Sequence, residues 1–450
     1  MNIFQRCLGY LTAFCNLKPI VVLKEGFILT TPATLVGSLF LLIANFPVDG
    51  YNEFMTSFLG AGWADPLNQV SGATFDILAI IVVLAIAYKF ATLENVDGIS
   101  CAILALVSFL IVTASSVTAQ TGEVIGGVIP KTWVGGNGII TAILMGLLTS
   151  YIFCFFIKRK IIIKMPDSVP EGVSKAFAAL LPGLVIFTLS AVIFVLCKTF
   201  GEGLTFTELI FKVLQTPLQA FAGSLPGVII LTLITNLLFW CGIHGPNIVG
   251  GIMTPLWTAS ALANQSILDK GEKLIVGENA EIFTVQFDYF IKIGGCGMTL
   301  GLLIAALLTA RSQRLKSITR LSVVPGIFNI NEPVIFGLPI VFNAYFLIPF
   351  LFAPVVAVLI YYGAVITGFL PPFGAVQIPW TTPPIISGFL VAGFQGVVVQ
   401  LVIIVAIVLL YFPFMKIQDR LYVQQENGEN GGSDRKDIDD EDLETLAAGL

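Results

Sequence analysis

Nine stretches of this chain run for 17 to 25 residues with at most two charged side chains each: 26–48, 76–92, 100–119, 138–157, 175–198, 225–241, 292–310, 344–366 and 390–414. About 20 apolar residues suffice for a helix to cross the hydrocarbon core of a bilayer. These stretches are therefore read as crossings, and the chain as an all-α polytopic membrane protein. Only 11% of its 450 residues are charged, against about 25% in soluble domains. The net charge of −5 sits at one end, because residues 421–450 hold nine carboxylates against Arg435 and Lys436. Residues 1–420 then carry −5 + 7 = +2. No face can supply the dense basic lining that nucleic acid needs, and the seven scattered cysteines offer neither a disulfide framework nor a metal site. No cofactor is expected.

Orientation follows from Lys and Arg in the short loops. None occurs between Pro47 and Phe75, whereas Lys158, Arg159, Lys160 and Lys164, then Arg311, Arg314, Lys316 and Arg320, then Lys416 and Arg420 form clusters. Placing these clusters in the cytoplasm with an inside N-terminus requires a tenth crossing after Thr199. The candidates are Phe206–Gly223 and Pro246–Gln265, and the sequence does not choose between them. Residues 1–25 are read as an interfacial helix, 26–200 and 201–420 as two transmembrane halves, and 421–450 as an acidic cytoplasmic tail, of which Glu426 to Leu450 is expected to be dispensable. The basic loop 158–175 is the expected docking surface for a cytoplasmic partner.

Two stretches are apolar but too punctuated for simple crossings. Val323–Asn343 has three prolines and two glycines, and Leu370–Gly388 has five prolines. Irregular backbone survives at membrane depth only when buried in protein or lining a wet cavity, so both are expected to be re-entrant hairpins of the kind that build transporter sites. Glu332 is the lone charge of the first, with Asn329 and Asn331 beside it, and Pro333 predicts a new half-helix starting there. A charge at that depth costs roughly 2.5–3.5 kcal/mol on insertion scales, which favours a cavity or ligand over a plain structural cap. His244, the only histidine, lies in a broken helix end with Gly242, Gly245 and Pro246. The glycines let backbone approach a ligand; the alternative is a hydrogen-bonded core histidine. Trp380 could stack on a sugar or anchor at the interface. Asn137, in a Trp-Val-Gly-Gly-Asn turn, is a weaker case of the same kind.

The segments GIHGPN (242–247), GIFNINEPVIFGLPI (326–340), KMPDSVPEGVSKAF (164–177) and IPWTTPP (378–384) together resemble the membrane, or IIC, component of bacterial phosphoenolpyruvate-dependent sugar phosphotransferase systems, in the lactose, cellobiose and diacetylchitobiose branch. The resemblance covers most of residues 1–420. It implies about ten transmembrane helices with two re-entrant hairpins, in the bacterial cytoplasmic membrane with both termini inside. It also implies a homodimer formed by the N-terminal half and a β-linked disaccharide held by the C-terminal half. By position, Glu332 and His244 would contact the hydroxyl that becomes phosphorylated, with Asn331 and Trp380 lining the site. Separate soluble IIA and IIB subunits are expected, the latter carrying a phosphocysteine. The chain has no nucleotide loop or kinase site of its own. A proton-coupled sugar symporter, with Glu332 and His244 as its relay, is the alternative reading.

Overall fold

Uncharged runs without glycine or proline punctuation become long helices, since in lipid each backbone group must find its partner within the segment. The computed structural model describes residues 17–48, 50–119, 123–166, 168–338 and 340–426. Most of the expected interfacial segment and nearly all of the acidic tail lie outside these. Helix α1 (Lys18–Ala44) starts on Pro19 in its first turn and takes in residues 18–25, which the sequence reading gave to the interface. The short α2 (Tyr51–Leu59) follows, and then α3 (Asp65–Phe75) meets α4 (Leu78–Leu93) at a 40° bend. Helix α5 (Gly98–Ile111), capped by Asp97 accepting from the Ser100 N–H, is shorter than its 20-residue apolar run. The run breaks at Ser115-Ser116, and strand β1 (Ser116–Thr118) pairs antiparallel with β2 (Val124–Gly126) in the register Val117 to Ile125. Helices α6 (Ile139–Lys158), α7 (Glu171–Ala178) and α8 (Leu180–Phe200) complete the first half.

The second half holds α9 (Leu225–Trp240), α10 (Gly245–Leu268), α11 (Thr299–Thr309), α12 (Gln313–Ile327), α13 (Glu332–Gly337), α14 (Ala344–Ile366) and α15 (Ile386–Glu426). Among the described residues, six helices are long and apolar enough to span a membrane, or up to eight if each of two bent pairs counts as one. Of the two stretches left open for a further crossing, Phe206–Ala222 is interrupted by a π-turn at Phe211–Gln215 and meets α9 at 77°. Helix α10 is unbroken over 24 residues, about 36 Å at 1.5 Å per residue.

Burial divides the same way. The two larger cores run from Val22 to Ile186, admitting Ala259, and from Ala222 to Tyr422, and a small third cluster joins Leu41 and Phe75 to Ala375. Glu94, at the end of α4, pairs with both Lys18 and Lys158, tying three helix ends on one side of the first half. Lys158 is thus already engaged, and Arg159 lies over the Phe155 ring, which leaves less free charge in the loop expected to dock a partner.

The far end of α15 corrects the boundary of the dispensable tail. Asp419, 4% exposed, accepts from the Arg311 and Ser312 N–H groups at 2.9–3.0 Å, and Glu426 accepts from those of Gln313 and Arg314 at 2.9 and 2.8 Å. Two carboxylates thus cap the start of α12, the helix that leads to Glu332. Deleting 427–450 is expected to leave thermal stability unchanged, whereas a deletion that also removes Glu426 should cost about 0.5–2 kcal/mol, the usual value of a lost cap. Equal melting of the two truncations would contradict that role.

Candidate functional site: two hairpin tips on an unwound crossing

The stretch 292–310, expected as a plain crossing, is helical only from Thr299. Before it, Gly294, Gly295, Gly297 and Met298 all have positive φ, at 77°, 91°, 75° and 54°, so the backbone is unwound through the run Gly294-Gly295-Cys296-Gly297. Its freed polar groups are taken up by side chains from three other segments. Asn236 of α9 accepts from the Gly297 N–H at 2.8 Å, Asn329 accepts from the Gly294 N–H at 2.8 Å, and Asn331 donates to the Cys296 carbonyl at 2.8 Å. The Tyr411 hydroxyl of α15 donates to the Gly297 carbonyl at 2.6 Å. Sequence reasoning missed this hub. The signal was there in a glycine triplet beside an apolar run, and in Asn236, a polar side chain alone in a crossing.

The first hairpin breaks where expected. Helix α12 ends at Ile327, Asn329 turns the chain at φ 64°, a conformation asparagine tolerates, and α13 begins with Glu332 and Pro333 in its first turn. The second punctuated stretch folds as an irregular connection without helix between Thr367 and Ile385, and it meets the first break at the same residue. The Asn329 amide donates to the carbonyls of Trp380 at 2.8 Å and Thr382 at 3.1 Å. One side chain therefore joins both breaks to the unwound segment. The variant Asn329→Gly keeps the left-handed turn but orphans the Gly294 N–H, which should cost about 1–3 kcal/mol in thermal or denaturant unfolding; wild-type stability would show that the tips are held otherwise.

The GIHG break joins this assembly from α9. The Phe342 N–H donates to the Trp240 carbonyl at 3.0 Å, and the Trp240 indole donates to the Asn343 carbonyl at 2.9 Å. Gly242, at φ 80°, packs on Val341. His244 is the N-cap of α10, its Nδ1 accepting from the Asn247 N–H at 3.3 Å, with the Phe239 ring edge-on at 5.1 Å. With Nδ1 as acceptor, the neutral ring carries its proton on Nε2 and keeps that N–H as a donor. Glu332, Lys24 and Lys292 are the charges within Coulombic reach of the imidazole.

The six residues singled out from sequence fare differently. Glu332 and His244 are both exposed, and the Glu332 charge acts on the imidazole. Trp380, 66% exposed, stands at the second hairpin tip. Among the described residues no hydrogen bond or ion pair engages the Glu332 carboxylate. Asn331 is buried, with its amide committed to Cys296. Gly245 is buried too, and a Cβ there would lie 1.9 Å from the Thr235 carbonyl, so its smallness serves the packing of α10 on α9. Asn137 is apart from the others. Its turn packs on Ala259 and Leu262 of α10, fifteen residues or more along that helix from His244, roughly 22 Å. Beside His244 the structure adds a pair not foreseen: Lys292 is bonded to Asp288, and both line a hollow with Thr232, Thr235, Asn236 and Cys296.

A carboxylate, an imidazole and an indole each stand at a broken segment, the kind of element from which transporter sites are built. The family model for the phosphotransferase system EIIC matches residues 24–354. The chain belongs to the phosphotransferase-system EIIC family. This EIIC chain is 39% identical over 414 residues to the lichenan permease IIC component of Bacillus subtilis, with 90% of each covered. It is 37% identical to the cellobiose-specific EIIC component of Geobacillus stearothermophilus, covering 90% of this chain and 91% of that one. The crystal structure of the transporter ChbC, the IIC component from the N,N'-diacetylchitobiose-specific phosphotransferase system, superposes with a TM-score of 0.88 at 37% identity, covering 93% of this chain and 98% of that one. The EIIC chain is accordingly a multi-pass cell-membrane permease and the membrane part of a sugar phosphotransferase system.

Proposed function

We propose that this EIIC permease carries a β-linked disaccharide, of the cellobiose or diacetylchitobiose type, and presents its 6-hydroxyl to the phosphocysteine of a separate IIB subunit. The observation that carries this reading is the unpaired Glu332 carboxylate at the junction of two hairpins, within electrostatic reach of His244. In-line transfer to a hydroxyl needs that oxygen positioned and its proton accepted. Glu332 is the general base in this reading, and His244 donates from Nε2 to a sugar oxygen. Trp380 offers its ring to the apolar face of a sugar. Asn331 and Asn329 hold the backbone that sets these groups in place. The relatives named above, which handle lichenan, cellobiose and diacetylchitobiose, support the substrate class.

The same reading includes ten crossings with both termini cytoplasmic. Helix α10 supplies the tenth, and Phe206–Ala222 lies across the membrane surface; its 77° angle to α9 favours this. It also includes a homodimer through the N-terminal half, where Glu171–Phe200 is the least buried of the long apolar helices. Purified protein in vesicles, loaded with unlabelled cellobiose, should exchange external labelled cellobiose or diacetylchitobiose without any added phosphoryl donor. Exchange of monosaccharides only, or of no β-linked disaccharide, would overturn the substrate assignment.

A further inference from the structure

A groove between α11, α12 and α15 is lined by none of the residues assigned to the sugar. Its walls are Leu300, Leu303, Ile304 and Leu307 of α11, Val323 and Ile327 of α12, Pro384 and Ile385 at the end of the second hairpin, and Leu401 and Ile404 of α15. The groove measures about 330 Å³, in the range of ligand pockets. Its floor at Leu303 is fully buried, while Leu307, Ile327, Ile385 and Leu401 on its rim are 56%, 38%, 41% and 44% exposed. Among the described residues no polar side chain lines it, so a sugar or any other hydroxylated ligand would leave its hydrogen bonds unmet there.

The stripe that forms one wall does not end with the hydrocarbon. Counting back along α12, Ile327 and Val323 are followed on the same face by Arg320 and Lys316, at steps of four, three and four. Among the described residues neither Arg320 nor Lys316 has an ion pair, and the nearby carboxylates of Asp419 and Glu426 are taken by backbone N–H groups. From Arg320 to Ile327 the helix rises about 10 Å. A hydrocarbon slot thus opens at one end onto two unpaired cations, and Lys416 and Arg420 add charge at the same end of α15.

We propose that this groove binds one anionic phospholipid, with an acyl chain between α11, α12 and α15 and the phosphate against Arg320 and Lys316. The match is in charge as well as shape, because an acyl chain is the one apolar ligand that a membrane supplies already joined to a negative head. A lipid seated there touches α12 and the end of the connection into α15, and neither Glu332 nor Trp380 is among the residues that line the groove.

The test uses the full-length protein in detergent, delipidated and then offered phosphatidylglycerol or phosphatidylcholine, with bound lipid read by native mass spectrometry. Sugar binding in the same sample checks the fold. Wild type should prefer phosphatidylglycerol by roughly thirtyfold, the value of two interfacial cations. The double variant K316Q/R320Q should lose the preference while still retaining lipid. Leu307→Trp, which fills the slot, should retain neither lipid. Absence of any preference in wild type would overturn the proposal, as would a preference that survives in K316Q/R320Q or lipid retention that survives in Leu307→Trp. If Leu307→Trp changed the oligomeric mass and left lipid retention alone, the groove would belong to a second copy and the lipid assignment would fail.

Discussion

Glu332→Gln is expected to lower sugar phosphorylation by about 10²–10⁴-fold, the usual cost of removing a general base, with sugar binding and thermal stability near wild type. The reason for both halves of that expectation is local. Among the described residues nothing bonds the Glu332 carboxylate, so the amide breaks no packing interaction and disturbs no cap. Asn331, not Glu332, precedes α13 as its N-cap. Only the capacity to take a proton is lost. The assay is the initial rate of sugar-phosphate formation by membranes supplied with phospho-IIB, normalised to protein measured by binding. A wild-type rate at wild-type expression would remove Glu332 from the chemistry, and a variant that fails to bind sugar would make it a binding residue.

His244 calls for two substitutions, because its ring does two things. Nδ1 caps α10, and Nε2 is the donor left for a ligand. His244→Ala removes both, and should cost about 0.5–2 kcal/mol of stability for the cap as well as sugar affinity. His244→Asn keeps an oxygen that can cap the helix but shortens the reach to the sugar. It should therefore fold like wild type and bind disaccharide roughly ten- to a hundredfold more weakly, the effect of an unmet polar partner costing about 1–3 kcal/mol. Calorimetric binding beside thermal unfolding separates the two. Restored stability together with unchanged affinity in His244→Asn would make this histidine a cap and nothing more.

What the sequence revealed, and what it hid, follows from how membranes constrain chains. Apolar runs and proline-rich breaks are legible because lipid punishes any unmet backbone group, so the breaks around Asn329 and Trp380 could be located and Glu332 placed in a helical first turn. Helix ends were less legible. The run 100–119 stays apolar past Ile111, where it turns into loop and strand, and hydropathy does not separate a helix from an extended segment. Partnerships were the least legible. Asn331 reads as a ligand residue from sequence because polar side chains at depth usually serve substrates, yet its amide serves the Cys296 carbonyl. The need for it arises from glycines 35 residues away in the chain, which no local pattern links to it. Asp288 and Lys292 were passed over because an opposite-charge pair four residues apart at the head of an apolar run looks like an ordinary helix start.

The chemical form in which sugar arrives separates phosphotransfer from symport. Membrane vesicles containing this protein should be given labelled cellobiose or diacetylchitobiose together with phosphoenolpyruvate and the soluble phosphotransfer proteins, and the accumulated label should be separated by chromatography. Phosphotransfer predicts that it is recovered as the 6-phosphate, that none accumulates without phosphoenolpyruvate, and that collapsing the proton gradient changes nothing. Accumulation of unmodified sugar, abolished by an uncoupler and indifferent to phosphoenolpyruvate, would contradict it and make Glu332 and His244 a proton relay.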